Sequence, residues 1–408
     1  MRKNICFFTE SYIVGGLDTY IVSLINNWPS EEDHITLMCN ESHSGINFLQ
    51  SAIQRKNFTL KLYSLPLVQE FKNSCNRRLG VGGLSKLVRF VGVYSLFVYY
   101  IISVFKKLEL KKFNELMVVN GGYPGSRLCQ AVSIVWGIGN HKKSIHNFHN
   151  YSFPIRKFLF PLEYLIDANI ARYSKSLVSV SQSCAASIKQ RFGFRNCKKV
   201  SYIYNGIPQN ITNQIIDIKE LFSIPRDHKV CLILASYEER KGHDFLFKVF
   251  AKVLKLYPAT TLICCGYGET EDMNRIYGLI KSTGIEDNVR VLGYREDAMA
   301  ILASVDILLI SSQSFESFGL TSIEAMKYKK VIVSTNFGGL REVVKNGEGG
   351  YTFNIDDVDG YAECIVRLLN SDTLRDEQGK LGYQRFLSLF TVERMAASYY
   401  KLLHDEAN

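Results

Sequence analysis

Short apolar runs recur along the chain, each closed by a polar or glycine-bearing loop and followed by residues with helical spacing. In the first half such runs lie at Ile5–Phe8, Ile35–Cys39, Leu116–Asn120, Lys143–Phe148 and Leu177–Ser181, and they predict strands. The loop Thr9–Gly16 leads into a helix over Leu17–Asn26, so the chain opens as a βαβ unit. The stretch Asn205-Gly206-Ile207-Pro208 is a cluster of breakers and marks a domain boundary. The same grammar then restarts. Strands are predicted at Val230–Ala235, Thr261–Cys265, Val289–Leu292, Val305–Ile310 and Val331–Ser334, with a helix over Asp244–Leu256 after the first of them. The last segment, Thr391–His404, has helical spacing.

Strands alternating with helices predict parallel sheets. The fold class is therefore α/β, with two Rossmann-like domains facing across a cleft. The expected domains are residues 1–205 and 206–387, with a final helix over about 388–408 packing back on the first. One segment breaks the pattern. Phe90–Phe105 carries no charge over sixteen residues, and Arg89, Lys106, Lys107, Lys111 and Lys112 flank it. It falls short of the roughly 20 residues a spanning helix needs. Three readings stay open: a helix packed on the sheet, an interfacial helix against anionic lipid, or a true span.

Composition narrows the partners. The chain has 408 residues, 47% of them hydrophobic, and can bury a large core. Residues 1–205 hold 26 Lys and Arg against 11 Asp and Glu, a net +15, whereas the remainder carries −5. A basic half suits an anionic partner. No zinc-finger spacing or RNA-binding aromatic signature supports nucleic acid as that partner. The ten cysteines have no regular spacing and read as reduced cytosolic thiols. Met1–Phe8 enters a strand directly, without the pattern of a signal peptide.

The candidate chemistry lies where strands end. Glu316 and Glu324 bracket Gly319, which opens a helix just after the apolar run Val305–Ile310. Ligands of open α/β sheets bind at the carboxyl ends of strands, and helix starts attract phosphate. Free N–H groups at that helix start would meet phosphate, and the two carboxylates could each accept hydrogen bonds from sugar hydroxyls. Upstream, Ser236, Arg240 and Lys241 lie just past another strand, where the bases either neutralise a diphosphate or are solvated on a loop. Gly15-Gly16 precede the first helix, either for close phosphate approach or as an ordinary turn, and Asp18 can cap that helix. His149 ends a predicted strand within reach of a cleft ligand, or is a satisfied structural histidine. His146 is the weaker candidate. Gly266-Tyr267-Gly268-Glu269 lacks the third glycine of a dinucleotide fingerprint. Gly338-Gly339 with Glu342 follow a further strand, and Glu342 serves either a ligand or a helix cap.

Taken together, these pieces resemble the retaining glycosyltransferases of family 4, which have the GT-B fold. Glu316 to Glu324 matches the family's E-x7-E signature. Gly15-Gly16, His149-Asn150-Tyr151, Asn205-Gly206-Ile207, Arg240-Lys241-Gly242, Gly266-x-Gly268-Glu269 and Gly338-Gly339…Glu342 fall in the family's order. The resemblance implies roles. Glu316 contacts donor-sugar hydroxyls and Glu324 the ribose. Phe318 to Thr321 and Lys241 hold the diphosphate. His149 touches the sugar, and Gly16 lets the first loop close. Ala235-Ser236 stands where many relatives have Gly-Arg, with Arg240 as the substitute base.

Such enzymes retain anomeric configuration and are usually explained by front-side attack, so no general base is assigned. With no acidic pair placed for a metal, the expectation is no cofactor and metal independence. The expected partners are a nucleotide-sugar donor, UDP favoured, a lipid-linked or saccharide acceptor, and an anionic membrane surface. The expected place is cytoplasmic, peripheral at the inner face of the cell membrane, in capsule or O-antigen assembly. The alternative is a noncatalytic nucleotide-sugar binder or scaffold of the same fold. A Rossmann oxidoreductase is disfavoured by the missing fingerprint, and a phosphorylase by the lack of an identifiable pyridoxal lysine.

Overall fold

The structure is a computed structural model that describes residues 2–80, 82–140, 142–155, 159–211 and 216–405. The chain divides into two compact units. The first comprises Met1–Tyr204 with Val392–Asn408, and the second Asn205–Thr391.

The first unit is built on seven parallel strands: β1 (Asn4–Thr9), β2 (His34–Asn40), β3 (Phe58–Tyr63), β4 (Glu115–Asn120), β5 (Ser144–Phe148), β6 (Ser174–Ser179) and β7 (Val200–Tyr202). Their order across the sheet is β3-β2-β1-β4-β5-β6-β7. Strand β1 shows why its sequence is continuously apolar. Ile5 and Phe7 pack with the helices Gly16–Asn26 and Val392–His404, while Cys6 and Phe8 pack on the opposite face with Gly83–Lys107 and Arg127–Asn140. Both faces are buried, as parallel sheets require. The closing helix Val392–His404 is integral to this unit. Tyr399 is fully buried, and its hydroxyl accepts a hydrogen bond from Asn147 Nδ2 at 2.6 Å.

The second unit has six parallel strands: β8 (Lys229–Leu234), β9 (Thr260–Cys265), β10 (Val289–Leu292), β11 (Ile307–Ile310), β12 (Val331–Thr335) and β13 (Gly350–Phe353). Their order is β10-β9-β8-β11-β12-β13. In both units the first strand is central and the winding reverses beside it, between β1 and β4 and between β8 and β11. Such switch points leave a crevice at the carboxyl ends of the strands.

The apolar segment after β3 is longer than its uncharged run. It forms a helix over Gly83–Lys107, 25 residues long, with a mean hydropathy of 1.8 over a window that is only 17% buried. It is long and apolar enough to cross a membrane. Sequence had stopped it at the first charged residue, yet Lys86 and Arg89 lie within the helix. Tyr100, Ser103 and Val104 are buried, which attaches one side to the unit. Leu84, Leu87, Val91, Val98, Ile102 and Phe105 are exposed. Their three- and four-residue spacing draws one stripe along the outer face. One side of the helix is therefore packed on the first unit, and the other is bare.

Candidate functional site in the second unit

Two loops build the site. After β8 the chain passes through Ala235 and Ser236 into a tight turn, Glu239–Lys241, that ends at Gly242. Gly242 has φ +70°, and a Cβ there would stand 2.0 Å from the Ser311 carbonyl oxygen, so only glycine fits. This close approach brings Lys241 beside the end of β11, where Ser311 Oγ donates to the Lys241 carbonyl at 2.8 Å. After β11 the chain runs through Ser311 and Ser312 to Glu316, then through Gly319 (φ +88°) into the helix Leu320–Lys327. Phe315, exposed and at φ +53°, holds a left-handed conformation just before Glu316. That conformation costs a non-glycine residue about 1–2 kcal/mol.

These loops enclose a small cavity of about 70 Å³ at the β8–β11 switch point. Lys241, Ser312, Glu316, Gly319, Leu320 and Thr321 line it. Glu316 is only 8% exposed, so its charge needs partners. Among its partners, Lys241 Nζ donates to Oε2 at 2.7 Å, and Ser312 Oγ donates to the same oxygen at 2.9 Å. The first N–H groups of a helix have no partner within it. The start of Leu320–Lys327 therefore adds positive polarity beside this ion pair.

The structure thus brings Lys241, Glu316, Gly319, Leu320 and Thr321 to one cavity and leaves other sequence candidates outside its lining. Phe318 lies outside the lining, its ring buried 5.9 Å from Phe390. Glu324 lies further along the helix, and burial raises its carboxyl above the usual range, opposed by nearby Lys327. Ser236 and Arg240 both turn to Glu238: Ser236 Oγ donates to Oε1 at 2.8 Å and Arg240 Nε to Oε2 at 2.6 Å. Glu238, two residues from each, captures the base that sequence had assigned to phosphate. Gly266 serves packing, with its Cα against the Ala235 carbonyl. Gly339 N–H donates to the Glu316 carbonyl at 2.9 Å, so the glycine pair Gly338-Gly339 buttresses the loop. Ser311 and Ser312 were missed by sequence. Their signal was a pair of hydroxyls directly after the apolar run of β11.

The remaining candidates belong to the first unit. Gly15 has an extended backbone, and no atom crowds a Cβ at Gly15 or Gly16, so neither position demands glycine. Asp18 caps the following helix, accepting from Gly15 N–H at 2.9 Å, and pairs with His43 Nε2 at 2.8 Å. His149 follows β5. Its ring meets Tyr20 edge-on at 4.1 Å, and burial lowers its pKa to about 3, so it is neutral at physiological pH. His146 is fully buried, with Nδ1 3.2 Å from Ser133 Oγ.

Two doubly wound parallel sheets thus frame the chain, the second with a Lys–Glu pair at a polarised helix start. Residues 215–385, most of the second unit, match the model of the family "Glycosyl transferases group 1". The chain is 28% identical over 217 residues to N-acetyl-alpha-D-glucosaminyl L-malate synthase of Bacillus anthracis, covering 52% of this chain and 56% of that protein. It is 28% identical over 179 residues to the lipopolysaccharide core biosynthesis glycosyltransferase LpsE of Rhizobium meliloti, covering 44% of this chain and 51% of the relative. The chain therefore spans about half the length of the curated relatives it matches. The fold extends over the whole chain. Anabaena Alr3699/HepE, solved in complex with UDP, superposes with a TM-score of 0.74 at 16% identity, covering 100% of both chains. The same protein has been solved with UDP-glucose, at a TM-score of 0.69 and 16% identity, covering 99% of this chain and 100% of that one.

Proposed function

We propose that the chain is a retaining glycosyltransferase that moves a sugar from a nucleotide-sugar donor to a lipid-linked or saccharide acceptor in bacterial surface-polysaccharide assembly. The observation that carries this reading is the buried Lys241–Glu316 pair at a helix start beside the β8–β11 switch point. A diphosphate entering the cavity competes for Lys241. The ammonium then neutralises the leaving group, and Glu316, released from it, accepts hydrogen bonds from sugar hydroxyls. The C1–O bond to the diphosphate breaks as the acceptor oxygen bonds to C1 on the same face. The acceptor's hydroxyl proton passes to the departing phosphate oxygen. Transition-state charge is met by Lys241 and the helix start. The reaction is metal-independent on this view, because fixed positive groups do a cation's electrostatic work. UDP is the favoured nucleotide, in keeping with the HepE complexes.

The acceptor is met at the cytoplasmic face of the membrane. The helix Gly83–Lys107 has no acidic residue and carries Lys86, Arg89, Lys106 and Lys107 around its exposed apolar stripe. Pairing of two such helices would oppose like charges, whereas anionic lipid offers both the apolar layer and the counter-charge.

The test is nucleotide release and sugar transfer by the full chain across a panel of UDP- and GDP-sugars, with and without excess chelator. Turnover of at least one donor, undiminished by chelator, is expected. No turnover of any donor favours the noncatalytic alternative, and loss restored by magnesium defeats metal independence.

A further inference from the structure

A cavity of about 320 Å³ lies where the helices Gly83–Lys107 and Arg127–Asn140 end. That size falls within the usual range of small-molecule pockets. Phe105 and Lys106 line it from the first helix, Val135 and Asn140 from the second, and Lys111 and Lys112 from the connection to β4. Strand β4 begins at Glu115 and β5 at Ser144. The cavity therefore belongs to the amino ends of the strands, away from the crevice at their carboxyl ends.

Its charge is one-sided. Lys106, Lys111 and Lys112 face a single lining acid, Glu109. Glu109 is already engaged: it pairs with Lys112 at 2.8 Å and Lys61 at 3.3 Å, and these bonds hold its carboxyl below the usual range. Lys106 and Lys111 have no ion pair among the described residues. Helix carboxyl ends attract bases. That accounts for Lys106, in the last turn of its helix, but not for Lys111, which stands past the helix end. Lys142 and Lys143, both exposed, lead into β5 just beyond Asn140. Like charge is crowded along this edge: burial, and then Lys143, hold the Lys199 ammonium at the entry of β7 below its usual range. Such self-repulsion opposes the compact state, and a bound anion relieves it.

The rest of the lining is apolar. Leu110 and Val135 are buried, whereas Phe105 is 61% exposed and also ends the stripe along the outer face of its helix. The stripe thus runs straight into the basic cavity. A ligand with a phosphate at one end and an apolar body matches both features, since ammonium groups bind phosphate through charge-assisted hydrogen bonds.

We propose that this cavity is a phosphate-ester site: it seats the headgroup phosphate of an anionic phospholipid between Lys106 and Lys111, with the Asn140 amide on a neighbouring headgroup oxygen and the acyl chains over Phe105. The proposal rests on the membrane reading of the stripe and specifies the lipid group held beside it.

The probe is dihexanoyl phosphatidylglycerol, kept below its critical micelle concentration and titrated calorimetrically into the full chain. Dihexanoyl phosphatidylcholine and inorganic phosphate are the comparisons. Phosphatidylglycerol should bind saturably, at least tenfold tighter than either. Lys106→Gln with Lys111→Gln should weaken it at least tenfold. Lys248→Gln with Lys255→Gln, an equal loss of charge in the second unit, should leave it within twofold. Absence of saturable binding overturns the site. Equal affinity for phosphatidylcholine or for inorganic phosphate, or equal weakening by the two double variants, does the same. Flotation with anionic vesicles tests the membrane reading separately. A chain that floats but takes up no soluble lipid keeps that reading and loses this cavity, and one that binds soluble lipid without floating does the opposite.

Discussion

At the scale of single residues, the pair Lys241–Glu316 decides what the second unit can do. Removing Lys241 deletes the side-chain cation that, among the described residues, lines the cavity, and takes the ion-pair partner from a buried carboxylate. Lys241→Ala should lower kcat/KM by roughly 10²–10³-fold, the usual effect of losing one transition-state electrostatic donor. Glu316→Gln should spare donor binding and reduce kcat, because the amide keeps a hydrogen-bonding oxygen but not the charge. Steady-state kinetics on the best nucleotide sugar checks both. Glu10 offers a stability test. Its folded pKa, about 8, lies above the 4.5 of a free carboxyl, so the folded state holds an extra proton between those values. Its contribution to stability is therefore fullest below about 4.5 and is lost as pH rises through 8. The melting-temperature advantage of Glu10→Gln over the parent should grow from pH 5.5 to pH 9, and equal advantages at both would contradict the buried acid.

Elements were legible in proportion to the burial of their two faces. Strands β1, β2, β8, β9 and β11 are apolar on both sides, and their runs stood out in the sequence. Strand β3 escaped notice because it lies at the sheet edge, where Thr59, Lys61 and their neighbours face solvent in part. The E-x7-E spacing located the helix start Gly319–Thr321 and Glu316. It did not foresee that Glu238 would claim Arg240, since that choice is made by a turn two residues long rather than by any periodic pattern. The helix Gly83–Lys107 shows the converse limit. Its charged first turns concealed its true length, and only packing revealed which side is bare. Val98 and Ile102 sit mid-stripe. Val98→Glu with Ile102→Glu should reduce flotation with anionic liposomes at least tenfold while leaving thermal unfolding nearly unchanged. Unaltered flotation would assign the stripe elsewhere.

For the molecule as a whole, charge is segregated by sequence half: +15 over residues 1–205 and −5 over the rest. Attraction to anionic vesicles should therefore weaken steeply between 50 and 500 mM salt, since the Debye length shrinks from above about 10 Å toward 3 Å across this range. Salt-insensitive binding would point to apolar contact alone. The closing helix adds a constraint of another kind. The chain leaves the first unit after Tyr204 and re-enters it at Val392, and Val392, Met395, Ala396, Tyr399 and Leu403 then complete a core begun by Ile5 and Phe7. Truncation after Thr391 should impair folding of the N-terminal half, with a loss exceeding the about 3–5 kcal/mol of a single large core deletion. A fragment ending at residue 204 should then be rescued by a synthetic peptide of residues 392–408 supplied in trans, which circular dichroism and co-purification would detect. The helix Val392–His404 is thus a keystone delivered late: a ribosome must pass beyond residue 404 before the opening half can close.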